Sequence, residues 1–143
     1  SYDIVNTGPG KLGLPIQNMK KGNITSPFGH RSSPGGIGST NHMGLDIGFP
    51  TGTHVLACEA GKVEVAGWNG GFGKCIIISH GGGLKTVYGH LSRINVTKGQ
   101  AVARGQFIGE VGSTGNSTGP HLHLGVMLNG QYVDPQKGWL TIP

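Results

Sequence analysis

The chain has 143 residues, a length that suits one domain with its own core. Only 12% of them are charged while 35% are hydrophobic, which excludes a solvated disordered chain. The net charge of +5 is spread thinly, Lys20-Lys21 being its densest point, so nothing indicates a surface built to track nucleic acid, although an anionic polymer would still attract the chain.

The 29 glycines and the lack of any helix-like run of three turns point to an all-β fold of mostly antiparallel strands with tight turns and little or no helix. Residues 1–22 mix Gly, Pro, Asn and Lys and read as an extended lead-in or linker, leaving 23–143 as the domain proper. The chain starts Ser1-Tyr2-Asp3 without an initiator Met, so a processed chain or a domain cut from a longer protein is expected. No stretch approaches the ~20 apolar residues of a membrane span, and no signal peptide is visible.

From Ile24 the sequence turns β-like. Val63 to Ala66 partly alternates and runs into a turn at Trp68-Asn69-Gly70-Gly71. Cys75 to Ser79 is an apolar run of strand length, closed by His80-Gly81-Gly82-Gly83, and Leu84 to His90 is the returning strand. Residues 96–112 contain a local near-repeat, Val-x-x-Gly-Gln followed by Gly-Gln-x-Ile-Gly, which predicts tight turns around short strands, with Phe107 to Val111 among them. His121 to Leu128 is the last long strand, and Asn129-Gly130 predicts a two-residue hairpin into Gln131-Tyr132-Val133, stopped by Asp134-Pro135. Cys58 and Cys75 lack the C-x-x-C spacing of a metal or redox motif; they read as two small buried hydrophobes or as one disulfide.

Chemistry concentrates in the seven histidines. In His121-Leu122-His123 the two imidazoles share one face of a strand while Leu122 faces the core. In His42-Met43-Gly44-Leu45-Asp46 the glycine argues against a helix. A strand there would turn His42, Gly44 and Asp46 to one side, with Gly44 letting a metal or substrate approach the backbone. His42, Asp46 and one member of the His121/His123 pair make two imidazoles and a carboxylate, a three-ligand set that leaves a fourth position on zinc for water. The other member of the pair, together with His90 of Tyr88-Gly89-His90-Leu91-Ser92, is then available for proton transfer. His30 is a candidate groove residue, while His54 and His80 read as surface turn or strand-end positions.

These residues, with Gly119-Pro120-His121-Leu122-His123, Gly70-Gly71-x-Gly73, Val102-x-x-Gly105-Gln106-x-Ile108-Gly109 and Ser117-Thr118-Gly119, stand in an order that resembles the lysostaphin/LytM-type zinc endopeptidases of peptidoglycan over about residues 26–140. The resemblance implies a substrate groove across one sheet and one zinc ion per chain on His42, Asp46 and His123. It also implies that His90 and His121 are catalytic without binding metal. It thereby selects His123 from a pair that spacing alone left open. Two departures bear on groove shape: Ser33 stands where relatives often carry His, and His54 where many carry Pro.

The expected activity is hydrolysis of peptide crosslinks or stem peptides of bacterial peptidoglycan, with His121 as general base and His90 donating to the oxyanion, two roles open to exchange. Segments 32–40 and 112–119, with Asn116 in the second, are expected groove walls. The implied location is extracellular, cell-wall associated, or on a phage particle. A non-catalytic wall-binding module on the same fold is the alternative. A biotinyl- or lipoyl-type carrier domain would leave the histidines unexplained and lacks a lysine at a hairpin tip.

Overall fold

A computed structural model describes the backbone of residues 10–32 and 39–143, and among them the side chains of all but residues 30–32 and 39–41. The side chain of the expected groove residue His30, and residues 33–38 of the expected wall 32–40, therefore lie outside what is described.

The fold is all-β. Its strands are β1 (Ile24–Ser26), β2 (Gly29–Ser32), β3 (Ser39–His42), β4 (Leu45–Ile47), β5 (His54–Leu56) and β6 (Gly61–Trp68). They continue with β7 (Lys74–Gly81), β8 (Leu84–Ile94), β9 (Ala101–Val102), β10 (Phe107–Val111), β11 (Leu122–Leu128) and β12 (Gln131–Val133). Ten of them form one antiparallel sheet, with the path β1-β4-β11-β8-β7-β6-β9, while β10 pairs with β5 and β8 and β12 pairs with β11; β2 and β3 make a separate hairpin. The Asn129-Gly130 turn joins β11 to β12 with positive φ at both positions, the geometry that a two-residue hairpin demands.

Alternation along β11 separates core from cleft. Leu122, Leu124 and Val126 are fully buried among Leu45, Ile47, Tyr88, Leu91 and Ile108, leaving His121, His123 and Gly125 for the opposite face. The lead-in is not a linker in its described part. Leu12, Leu14, Ile16 and Met19 are buried in the same core, Leu12 bridges to Leu140, and the Gly13 N–H donates to the Cys58 carbonyl at 2.7 Å. Residues 12–19 thus close the core despite their coil-like composition, and a boundary at 22–23 would cut through one packed unit. Cys58 and Cys75 are free thiols at full burial, and burial pushes them up to about 12 and about 11.

Candidate metal centre

Four strands, β3, β4, β8 and β11, bring the site together. On β4, Leu45 and Ile47 face the core, so Asp46 faces the cleft; it is the direct cross-strand partner of His123 on β11. His123 is in turn opposite Gly89 on β8. The single strand expected across 42–46 is instead two: the chain bends at Met43-Gly44 and passes from the hairpin strand β3 into the main-sheet strand β4. The bend folds His42 back over Asp46, with Nε2 and Oδ1 3.2 Å apart. Gly44 does permit a close approach, but by the protein itself: a Cβ there would lie 2.5 Å from the Leu124 carbonyl oxygen and 2.6 Å from Cε1 of His123.

His123 Nδ1 is also 3.2 Å from Asp46 Oδ1, and donor atoms of His42, Asp46 and His123 all fall within 4.8 Å of one another. Two ligands of a tetrahedral zinc with bonds of ~2.0–2.1 Å are separated by about 3.3 Å. The donor set and its spacing therefore fit zinc. The outer shell fits too: the Pro27 carbonyl accepts a hydrogen bond from His42 Nδ1 at 2.9 Å, which makes Nε2 the nitrogen that a metal would meet. Burial alone would raise the Asp46 pKa. Hydrogen bonds from His123 and His42 and the charges of His42 and His121 outweigh it and hold the carboxyl well below its usual range.

His90 reaches the same cleft by a different device. Regular alternation from Tyr88, which is buried in the core, would point His90 inward as well. The β7–β8 register slips between Lys74↔Leu91 and Ile76↔Tyr88, and His90 takes φ +62°, a β-bulge that turns its ring outward. At the same point β8 changes neighbour, pairing with β11 up to Gly89 and with β10 from Leu91. The His90 ring lies 4.7 Å from that of His121 and 6.1 Å from that of His123.

His90 and His121 are both oriented by carbonyls of the loop between β10 and β11. His90 Nδ1 donates to the Thr114 carbonyl at 2.8 Å, and His121 Nδ1 to the Gly119 carbonyl at 2.9 Å. A carbonyl only accepts, so each Nδ1 carries the hydrogen and each neutral ring keeps its lone pair on Nε2. His121 Nε2 lies 3.7 Å from Asp46 Oδ1. Burial lowers the pKa of His90 more than its bond to Thr114 raises it, and the neighbouring His121 and His123 lower it further.

The five residues line a cleft of about 450 Å³ with Gly71, Phe72, Asn116, Ser117 and Thr118. Asn116 and the loop around it thus form a wall, as expected. Phe72 was not foreseen: it occupies the unassigned position between glycines 71 and 73, and its ring lies 5.0 Å from that of His123. Past His42 a second hollow continues between Phe28, Met43 and Tyr132. His54 stacks on Phe107 at 4.1 Å, away from the site. His80 is not a plain surface residue, for it bonds the Ala60 carbonyl and, through Nε2, Thr86 Oγ1.

Residues 40–135 match the family described as Peptidase family M23. The chain is 41% identical over 133 residues to the DD-carboxypeptidase/endopeptidase Mpg of Neisseria meningitidis serogroup B, covering 93% of this chain and 31% of that protein. It is 41% identical over 116 residues to lysostaphin of Staphylococcus simulans, covering 80% of this chain and 22% of that protein. The chain thus spans a third or less of these relatives. A zinc-containing peptidase from Vibrio cholerae superposes with a TM-score of 0.79 at 35% identity, over 99% of this chain and 41% of that one. The catalytic domain of lysostaphin gives 0.69 at 39% identity, over 80% and 90%. With the matched segment carrying all five cleft residues in their expected order, the chain belongs to peptidase family M23.

Proposed function

We propose that this domain is a zinc-dependent endopeptidase that hydrolyses peptide crosslinks or stem peptides of bacterial peptidoglycan. The observation that carries this reading is a three-donor triad at zinc spacing, faced across an open cleft by two further imidazoles. His42, Asp46 and His123 hold the metal, which when bound supplies Lewis acidity to a carbonyl oxygen and to water.

The rest of the chemistry falls to the protein. His90 and His121 both enter as proton acceptors, because each Nδ1–H is committed to a carbonyl. His121 is the general base: with its Nδ1–H held by the Gly119 carbonyl, its Nε2 lone pair is left to take a proton from water. A histidine becomes a donor at Nε2 only once protonated, so the oxyanion bond assigned to His90 requires it to have gained a proton first. Loop 112–119 and the Gly71-Phe72 turn wall the cleft, and an extended peptide lies across it between them.

The names of the relatives support the substrate class. They include a glycyl-glycine endopeptidase from Staphylococcus capitis and a peptidoglycan DD-endopeptidase from Vibrio cholerae. The proposed substrate supports a bacteriolytic role at an extracellular, cell-wall-associated or phage-particle location. Among the described residues no helix is long and apolar enough to cross a membrane. The five intact site residues argue against a non-catalytic wall-binding module.

Zinc content together with loss of turbidity of bacterial wall preparations tests the proposal. Wild type should bind about one zinc per chain and clear walls, and a chelator or His123→Ala should abolish both. Folded protein with neither zinc nor clearing would leave the binding module as the better account.

A further inference from the structure

Thr114 belongs to the loop between β10 and β11, yet its side chain works inside the pairing of β7 and β8. The Lys74 N–H donates to its Oγ1 at 3.0 Å, and that hydroxyl donates to the Leu91 carbonyl at 2.6 Å. Lys74 and Leu91 are cross-strand partners at the edge of the bulge that turns His90 outward. The hydroxyl therefore bridges a donor and an acceptor on the two strands where the ladder slips. The main-chain carbonyl of the same residue accepts the His90 Nδ1–H bond.

Thr114 is itself held by interlocked glycines. A Cβ on Gly73 would lie 2.4 Å from the Thr114 carbonyl carbon, and one on Gly115 would lie 2.4 Å from the Gly73 nitrogen. The Asn116 N–H donates to the Gly71 carbonyl at 2.8 Å. The turn locked in this way also carries Phe72, whose ring packs beside His123. One rigid unit thus touches His90 on one side and a member of the metal triad on the other.

We propose that Thr114 is a positioning residue for the hydrolysis: its hydroxyl staples the β8 bulge while its carbonyl holds His90 with the proton on Nδ1 and Nε2 presented to the cleft. The kinetic consequence rests on the endopeptidase reading; the consequence for the His90 tautomer does not.

Thr114→Val keeps the branched shape and removes the hydroxyl, whereas Thr114→Ser keeps the hydroxyl. In the zinc-loaded domain Thr114→Val should lower kcat on a wall peptide by about 10- to 100-fold, with KM and zinc stoichiometry little changed. Thr114→Ser should restore kcat most of the way to wild type. Side-chain nitrogen–proton NMR of wild type should show His90 protonated at Nδ1, and Thr114→Val should lose that single tautomer. A kcat for Thr114→Val equal to wild type, or equal impairment of the Val and Ser variants, would overturn the proposal. So would a wild-type His90 protonated at Nε2, a result that decides the matter even if Thr114→Val does not fold. If wild type cleaves no wall peptide, the endopeptidase reading fails and the His90 tautomer still judges Thr114.

Discussion

Replacing Gly44 by Ala tests whether His123 is held as tightly as the metal centre requires. The backbone there does not lie in the left-handed region, so the substitution brings no conformational strain and acts through space alone. The added methyl would fall 2.6 Å from Cε1 and 2.7 Å from Nε2 of His123, and 2.5 Å from the Leu124 carbonyl oxygen. Ordinary contact begins at 3.4 Å, so the ring must retreat by about 0.8 Å, and β4 must also part from the Leu124 carbonyl on β11. The His123 ring already has the Phe72 ring beside it at 5.0 Å between centroids, and parting breaks the Asp46–His123 register. Zinc–ligand distances tolerate only about 0.2 Å. Overpacking of this kind costs about 1–3 kcal/mol, and if it falls on the metal-bound state the zinc Kd rises by about 5- to 150-fold. Titration against a chromophoric chelator measures that Kd, and circular dichroism confirms the fold. Zinc affinity equal to wild type in a folded Gly44→Ala protein would refute the reasoning, because the ring would then have room that the geometry denies it.

Removing residues 1–20 should unfold the domain. Leu12, Leu14, Ile16 and Met19 each contribute about 1.5–3 kcal/mol of burial, a sum comparable with the whole stability of a small domain; a truncated protein with an unchanged thermal midpoint would show that they are dispensable. Tyr88→Phe should cost about 1–3 kcal/mol in urea unfolding, since the fully buried hydroxyl accepts the Cys58 N–H at 2.9 Å and bonds Thr86 Oγ1 at 2.7 Å; an unchanged midpoint would count against that bond. His80 lies below its ordinary pKa because burial disfavours its charged form more than the Ala60 carbonyl and Glu59 favour it. The folded state therefore binds its proton less readily than the unfolded state, so the stability contributed is full above about pH 6.5 and declines as the pH falls through that value towards the folded pKa. His80→Asn, compared with wild type by urea unfolding after metal removal, should lose stability less steeply on acidification; parallel pH curves would contradict this.

What could be read from the sequence follows the range over which each signal acts. The two-residue period of β11 placed His121 and His123 on one face and Leu122 in the core from adjacent positions alone. Asn129-Gly130 specified its own turn because both positions need the positive φ that these residues tolerate. His42 and Asp46 were recognised as a pair, but their approach depends on a bend and a change of sheet that a period-two pattern does not encode. The burial of residues 12–19 is not legible locally, because their apolar residues are separated by Gly, Pro and polar residues. They pack in the common core, joined to Leu56 and Cys58 and to Trp139 at the other end of the chain, partners invisible to any local window.

The bulge at His90 is the most instructive case. Alternation from Tyr88 gives the wrong face; the bulge reverses it, and a hydroxyl 24 positions away joins the two strands where their register slips. Ser, Thr and Gly in residues 112–119 look like ordinary loop composition when read singly. Each acquires a specific task only once the loop lies against β7 and β8: Thr114 to staple, Gly115 to clear Gly73, and Gly119 to accept from His121. By spacing, His42, Asp46 and one of the His121/His123 pair could be found as a metal-ligand set, because donor chemistry is carried by the residues themselves; the choice of His123 came only with the family resemblance. The orientation of the two remaining imidazoles could not be found by spacing, because it is set largely by main-chain carbonyls that any sequence possesses, and the fold alone decides where those carbonyls point.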